Sequence, residues 1–218
     1  VLLFLLVFCA CAGASEFEFV NVRDTDSLAK GFATAEKSIA QNPTDPKVYL
    51  RGGIAAHQLA LLAGKGYAEK AVRYLEAYVA REPRDAVAIA YLGSAYAMQA
   101  RDSSAIMKRL TNANKGIDLL NQAVAGAPDN FIVRMVRGSV FYELPGMFNN
   151  SKEAFEDFSF VAGRFADEPL ADAELKAEVY YKLGRLALKR SDKDASGYFA
   201  KAVQAAPESH WSALARKE

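Results

Sequence analysis

The feature that most constrains this chain is a punctuation mark that recurs four times. NPTD at 42–45, EPRD at 82–85, APDN at 127–130 and APES at 206–209 each close an apolar-periodic run with proline and supply Asp, Asn or Ser two residues later. Proline cannot continue the helix before it. Asp, Asn or Ser accepts the first free N–H groups of the helix that follows. Asp45 is followed at once by Pro46, whose fixed φ and missing N–H suit a first helical position. The chain reads as helices in series.

A second mark runs in phase with the first. About ten residues after each of the first three prolines stands a glycine, Gly53, Gly93 or Gly138, and Gly184 follows in YYKLGRLAL. The intervals are 40, 45 and 46 residues. Glycine inside a helix costs roughly 1 kcal/mol relative to alanine, so its recurrence needs a return. A small residue lets a neighbouring helix come close, which offsets that cost. After each glycine helix comes a second amphipathic run ending at the next proline, as in AEKAVRYLEAYVAREP, NKGIDLLNQAVAGAP and ASGYFAKAVQAAP. Each unit is therefore a glycine-bearing helix A and an amphipathic helix B.

This pattern resembles the tetratricopeptide repeat (TPR). The second unit carries Ile89, Leu92, Gly93 and Tyr96, then Gly116, Leu120, Ala123 and Pro128; the fourth carries Tyr180, Leu183, Gly184 and Ala187, then Ala195, Phe199, Ala202 and Pro207. Gly138 and Phe141 with Ala154, Phe158 and Val161 mark the third, and Tyr49 and Gly53 with Ala71, Leu75 and Pro83 the first. The resemblance implies an all-α fold, a right-handed α-solenoid of antiparallel helix pairs. It divides the chain into a lone helix at 27–42, repeats near 45–83, 85–128, 130–169 and 171–207, and a capping segment at 210–218 containing Trp211. The repeat domain thus spans 27–209. The family unit is about 34 residues, so the additional residues between helix A and helix B lengthen the hairpins, most of all in repeat two. Asn150 and Glu153 form a candidate capping pair for helix B of repeat three.

The first residues differ from the rest. VLLFLLVFCACAGAS is uncharged and shorter than the roughly 20 apolar residues of a membrane span. It suits a secretory signal at 1–14, with cleavage after Ala12-Gly13-Ala14, followed by a linker at 15–26. Cys11, preceded by Ala10, offers the alternative of lipidation, as in a bacterial lipoprotein. Either outcome places the chain beyond the inner membrane, in the periplasm or attached to the outer membrane. Cys9 and Cys11 account for both cysteines, so the mature chain would carry no thiol or disulfide.

Little in the sequence points to catalysis. Twenty-seven basic residues balance twenty-six acidic ones, which gives no global field for nucleic acid or an anionic membrane. The histidines, His57 and His210, do not lie at metal-ligand spacing, and no glycine-rich loop follows a strand. Neither a cofactor nor a metal is expected, and the chain reads as non-enzymatic. Asp192 and Asp194 beside Ser191 read as a turn with an N-cap. Arg134 and Arg137 are expected to pair with Asp157 or Glu156.

The resemblance places the concave surface on helix A, at positions three before, one after and four after each glycine. These are Leu50, Ile54 and His57; Ala90, Ser94 and Ala97; Met135, Ser139 and Tyr142; Tyr181, Arg185 and Leu188. Family members that grip acidic peptide C-termini do so with Lys, Arg and Asn at such positions, and here only Arg185 fits that description. The expected groove is apolar with hydroxyls, suited to a partner protein or amphipathic peptide. Two functions follow: a cell-envelope scaffold for protein–protein interaction, or a binding protein for an apolar small molecule, similar to the TPR proteins associated with TRAP-type transporters. The C-terminal tail or a long hairpin filling the groove is a third outcome.

Overall fold

The computed structural model describes residues 24–64 and 66–218. The leader at 1–14, Cys11 and most of the linker lie outside the described residues. Ten α-helices and no strand occur among the described residues: α1 Thr25–Gln41, α2 Pro46–Leu62, α3 Tyr67–Val79, α4 Ala86–Asp102, α5 Ile106–Gly126, α6 Phe131–Glu143, α7 Ser151–Gly163, α8 Ala173–Lys189, α9 Ala195–Ala205 and α10 His210–Ala215.

All four punctuation marks act as the chemistry requires. Asp45 accepts from Lys47 N–H, Asp85 from Ala88 N–H, Asn130 from Val133 N–H and Ser209 from Ser212 N–H, at 2.9–3.1 Å. Asp172 caps α8 in the same way through Leu175 N–H. Asp24 caps α1 through Ser27 N–H, which starts that helix at Thr25, two residues before the expected boundary. The freed proline carbonyls are used as well. Pro43 O accepts from the Tyr49 hydroxyl, Pro128 O from Arg134 Nε and Pro207 O from Arg216 Nη2.

The expected capping pair at α7 does not form. Asn150 holds the N-cap position but makes no side-chain capping bond, because its φ/ψ of −94°/8° departs from the extended geometry that aims such a side chain back at the helix. At the α8–α9 turn, Ser191 adopts φ 55° and Asp192 Oδ1 accepts from Asp194 N–H, so the turn is made by an Asx bond rather than by a cap from Asp194.

The described chain divides into two compact units between Arg81 and Glu82. In the first, α2 and α3 form a hairpin with α1 packed on α2. Leu28, Leu50, Ile54 and Leu75 are fully buried there. Glu36 ties the helices together by accepting from Tyr74 Oη at 2.9 Å and Lys70 Nζ at 3.0 Å.

The second unit contains three hairpins, α4–α5, α6–α7 and α8–α9, with α6 against α4 and α5, α8 against α7, and α10 against α8 and α9. The α4–α5 hairpin is the longest, at 17 and 21 residues. Glycine sets its spacing. A Cβ on Gly93 would stand 2.9 Å from Gly116 O, and one on Gly116 would stand 2.7 Å from Gly93 O. The two backbones therefore meet directly. Gly184 instead accommodates the Phe199 ring, which would lie 2.5 Å from an added Cβ.

Candidate functional site

The expected contact positions separate into two groups. Leu50, Ile54 and Ala90 are 0% exposed, and His57 and Ser94 only 4%. They belong to the core and present nothing to a partner. The cause is local: the middles of α2 and α4 are apolar on nearly all faces, with unbroken buried runs from Gly52 to Ala60 and from Ala88 to Tyr96, and such stretches are enclosed by their neighbours. Ala97, Met135, Ser139, Tyr142 and Arg185 are partly exposed, Leu188 is 47% exposed, and Tyr181 is buried. The accessible positions therefore concentrate on α6 and α8, in the second unit.

On α8 that face is already engaged. Arg185 Nη1 donates to Glu218 Oε1 at 2.7 Å and to Tyr181 Oη at 3.4 Å. Trp211 stacks near Tyr181 with ring centroids 5.7 Å apart. Ser212 Oγ fastens α10 by donating within 2.9 Å of Ala202 O and 2.7 Å of Ala206 O. The C-terminal segment covers Tyr181 and Arg185, while Met135, Ser139 and Tyr142 on α6 remain partly open.

A lysine that the positional rule passes over sits between these elements. Lys182 is 4% exposed. Its Nζ donates to Glu178 Oε1 at 2.7 Å and lies 5.2, 5.6 and 5.6 Å from the ring centres of Tyr142, Phe158 and Trp211. Its charge is thus satisfied by one carboxylate and three ring faces. The arrangement joins α6, α7, α8 and α10. Beside it, a cavity of about 60 Å³ lies between α6, α8 and the 3-10 turn Gly146–Phe148, lined in part by Phe141, Tyr142, Leu144 and Leu186. Burial raises the Tyr142 hydroxyl pKa to about 12, with the neighbouring Tyr181, Arg185, Glu143 and Glu218 as smaller influences.

Asp157 receives both arginines named from the sequence. It is fully buried and accepts from Arg137 Nε at 2.7 Å, Arg137 Nη2 at 2.9 Å and Arg134 Nη1 at 2.6 Å. Arg137 Nη1 also donates to Asn121 Oδ1. The bidentate geometry and the additional amide satisfy the charges within the fold, so Arg137 is structural rather than a recognition group. Among the described residues no group of His, Cys, Asp and Glu is placed to hold a metal ion.

No family model matches the chain, and no curated protein does. Solved structures do. TTC0263 from Thermus thermophilus, described as a thermophilic TPR protein, superposes with a TM-score of 0.67 at 18% identity, covering 94% of this chain and 98% of its own. Two crystal structures of MamA give TM-scores of 0.56 and 0.53 at 18% and 17% identity, covering 83% and 90% of this chain and 90% and 94% of theirs. At these identities the likeness concerns the fold, which is an all-α solenoid of TPR type.

Proposed function

We propose that this chain is a non-enzymatic scaffold of the cell envelope that binds a partner protein through the open part of the α6 inner face. The observation that carries the reading is the placement of Met135, Ser139 and Tyr142, which stay partly exposed while the equivalent positions of α2 and α4 are largely enclosed. An apolar face with hydroxyls on a rigid helical support suits an amphipathic segment. The adjoining cavity of about 60 Å³ accepts a side chain, whereas pockets for small molecules span roughly 300–1,000 Å³. This favours a protein over a lipid-like ligand at that place. The envelope location rests on the leader-like residues 1–14.

Native mass spectrometry of the protein purified from its own cells tests the reading. A co-purifying protein lost on Met135→Glu with Ser139→Glu, at unchanged helical content by circular dichroism, supports it. A stoichiometric apolar molecule released by solvent, with no protein partner, replaces it with the carrier reading.

A further inference from the structure

The large apolar side chains that stand most exposed among the described residues are Leu61, Leu62, Ile106, Met107, Met147 and Leu188. Every one borders a connection from a helix A to its helix B. Leu61 and Leu62 end α2; Ile106 and Met107 open α5; Met147 lies in the turn between α6 and α7; Leu188 is next to the end of α8. The connections from B to A carry none of them. In the second unit successive helices run antiparallel, so its three A-to-B connections share one end and its B-to-A connections share the other.

Charge separates along the same axis. Lys108 and Arg109 follow the Ile106–Met107 pair, Lys189 and Arg190 follow Leu188, and Lys152 and Lys193 lie close by. Asp102 at this end is paired with Arg101 at 2.8 Å and Glu156 with Lys152 at 3.8 Å, and Glu143, Glu153, Asp192 and Asp194 are further acids there. Lys108 and Arg109 form no ion pair among the described residues. At the opposite end acids outnumber cations: Glu82, Asp85, Asp129, Asp167, Glu168, Asp172, Glu174 and Glu208, against Arg84, Arg134, Arg164, Lys176 and Arg216, of which Arg134 and Arg216 donate to the Pro128 and Pro207 carbonyls. The near-neutral total conceals this arrangement. We infer that the A-to-B end of the second unit is a peripheral docking edge for an anionic phospholipid surface, into which Ile106, Met107, Met147 and Leu188 insert while Lys108, Arg109, Lys189 and Arg190 meet phosphates. Separate apolar prongs interleaved with Lys and Arg suit the headgroup layer. A folded protein would demand a continuous complementary patch. No described helix is long and apolar enough to cross the bilayer, so the contact is interfacial. Leu61 and Leu62 give the first unit the same feature at its own A-to-B connection.

The test uses the full chain and vesicles of phosphatidylcholine with or without phosphatidylglycerol. Because the apolar leader can itself hold the chain on a vesicle, orientation is the discriminating readout. A tryptophan at the docking end (Ile106→Trp) is compared with one at the opposite end (Asp129→Trp), each against the background of Trp211, using brominated lipid as quencher. The inference expects added quenching at position 106 only, dependent on phosphatidylglycerol and weakened by salt. It also expects Ile106→Asp with Met107→Asp to lower vesicle affinity at least about tenfold with the fold unchanged. Equal quenching at both positions, none at 106, or binding indifferent to phosphatidylglycerol overturns it. So does capture of the 106 position by a protein in place of lipid.

Discussion

A methyl group added at Gly93 would sit 2.8 Å from Leu120 Cγ, 2.9 Å from Gly116 O and 3.1 Å from Leu120 N. Two of those atoms are backbone and cannot yield without moving a helix. Gly93→Ala should therefore cost about 1–3 kcal/mol through overpacking, read as a lower urea midpoint. Gly197 in α9 faces open space, so Gly197→Ala should instead gain about 0.5–1 kcal/mol from helix propensity alone. The same sign for both changes would remove the close-approach explanation. The Gly93 series was legible in the sequence because phase with proline set it apart from glycines of other kinds. Lys182 was not, since nothing local marks a lysine whose partners come from three other helices. Asp157→Ala would leave Arg134 and Arg137 without their shared carboxylate, with an expected loss of about 3–5 kcal/mol; a change within error in denaturant unfolding would show the triad to be dispensable.

At the scale of the element, caps divide into working and idle ones. Asp85 holds Ala88 N–H at 3.0 Å, so Asp85→Ala should cost about 1 kcal/mol. Asn150 makes no capping bond, and Asn150→Ala should show no capping loss in the same melt. Residue types at helix starts were readable; the dihedral angles that decide whether a side chain reaches its N–H were not. Burial of the A helices shows the same division. RGGIAAHQLALL and AVAIAYLGSAYA are apolar on nearly all faces, a property present in the sequence that a positional rule counted from glycine ignores. α6, with Arg134, Arg137 and Glu143 interrupting its apolar residues, leaves Met135, Ser139 and Tyr142 partly exposed. Tyr142 on that helix offers a pH test. An unfolded tyrosine loses its proton near pH 10, whereas burial holds the folded Tyr142 protonated to about 12. Between those values the unfolded state binds fewer protons, so stability falls as pH rises. Tyr142→Phe should show a shallower decline over that window, and an identical decline would deny Tyr142 its half-buried environment.

At the scale of the molecule, one repeat grammar produces surfaces of different use. In the second unit, acids outnumber cations at the B-to-A end, while the A-to-B end carries exposed Ile106, Met107, Met147 and Leu188. In the same unit, the C-terminal segment occupies Tyr181 and Arg185, while Met135, Ser139 and Tyr142 on α6 stay partly exposed. Composition could not reveal this, because a formal charge of +1 averages over ends that differ in sign. The central claim is that the open α6 face receives a protein, and site-specific photo-crosslinking tests it most directly. A benzoylphenylalanine at Ser139 is compared with one at Gln122, an exposed position on α5. A discrete protein adduct from Ser139, absent from Gln122 and competed by unlabelled chain, is the predicted result. Adducts of equal yield from both positions, or none from Ser139, would contradict the claim.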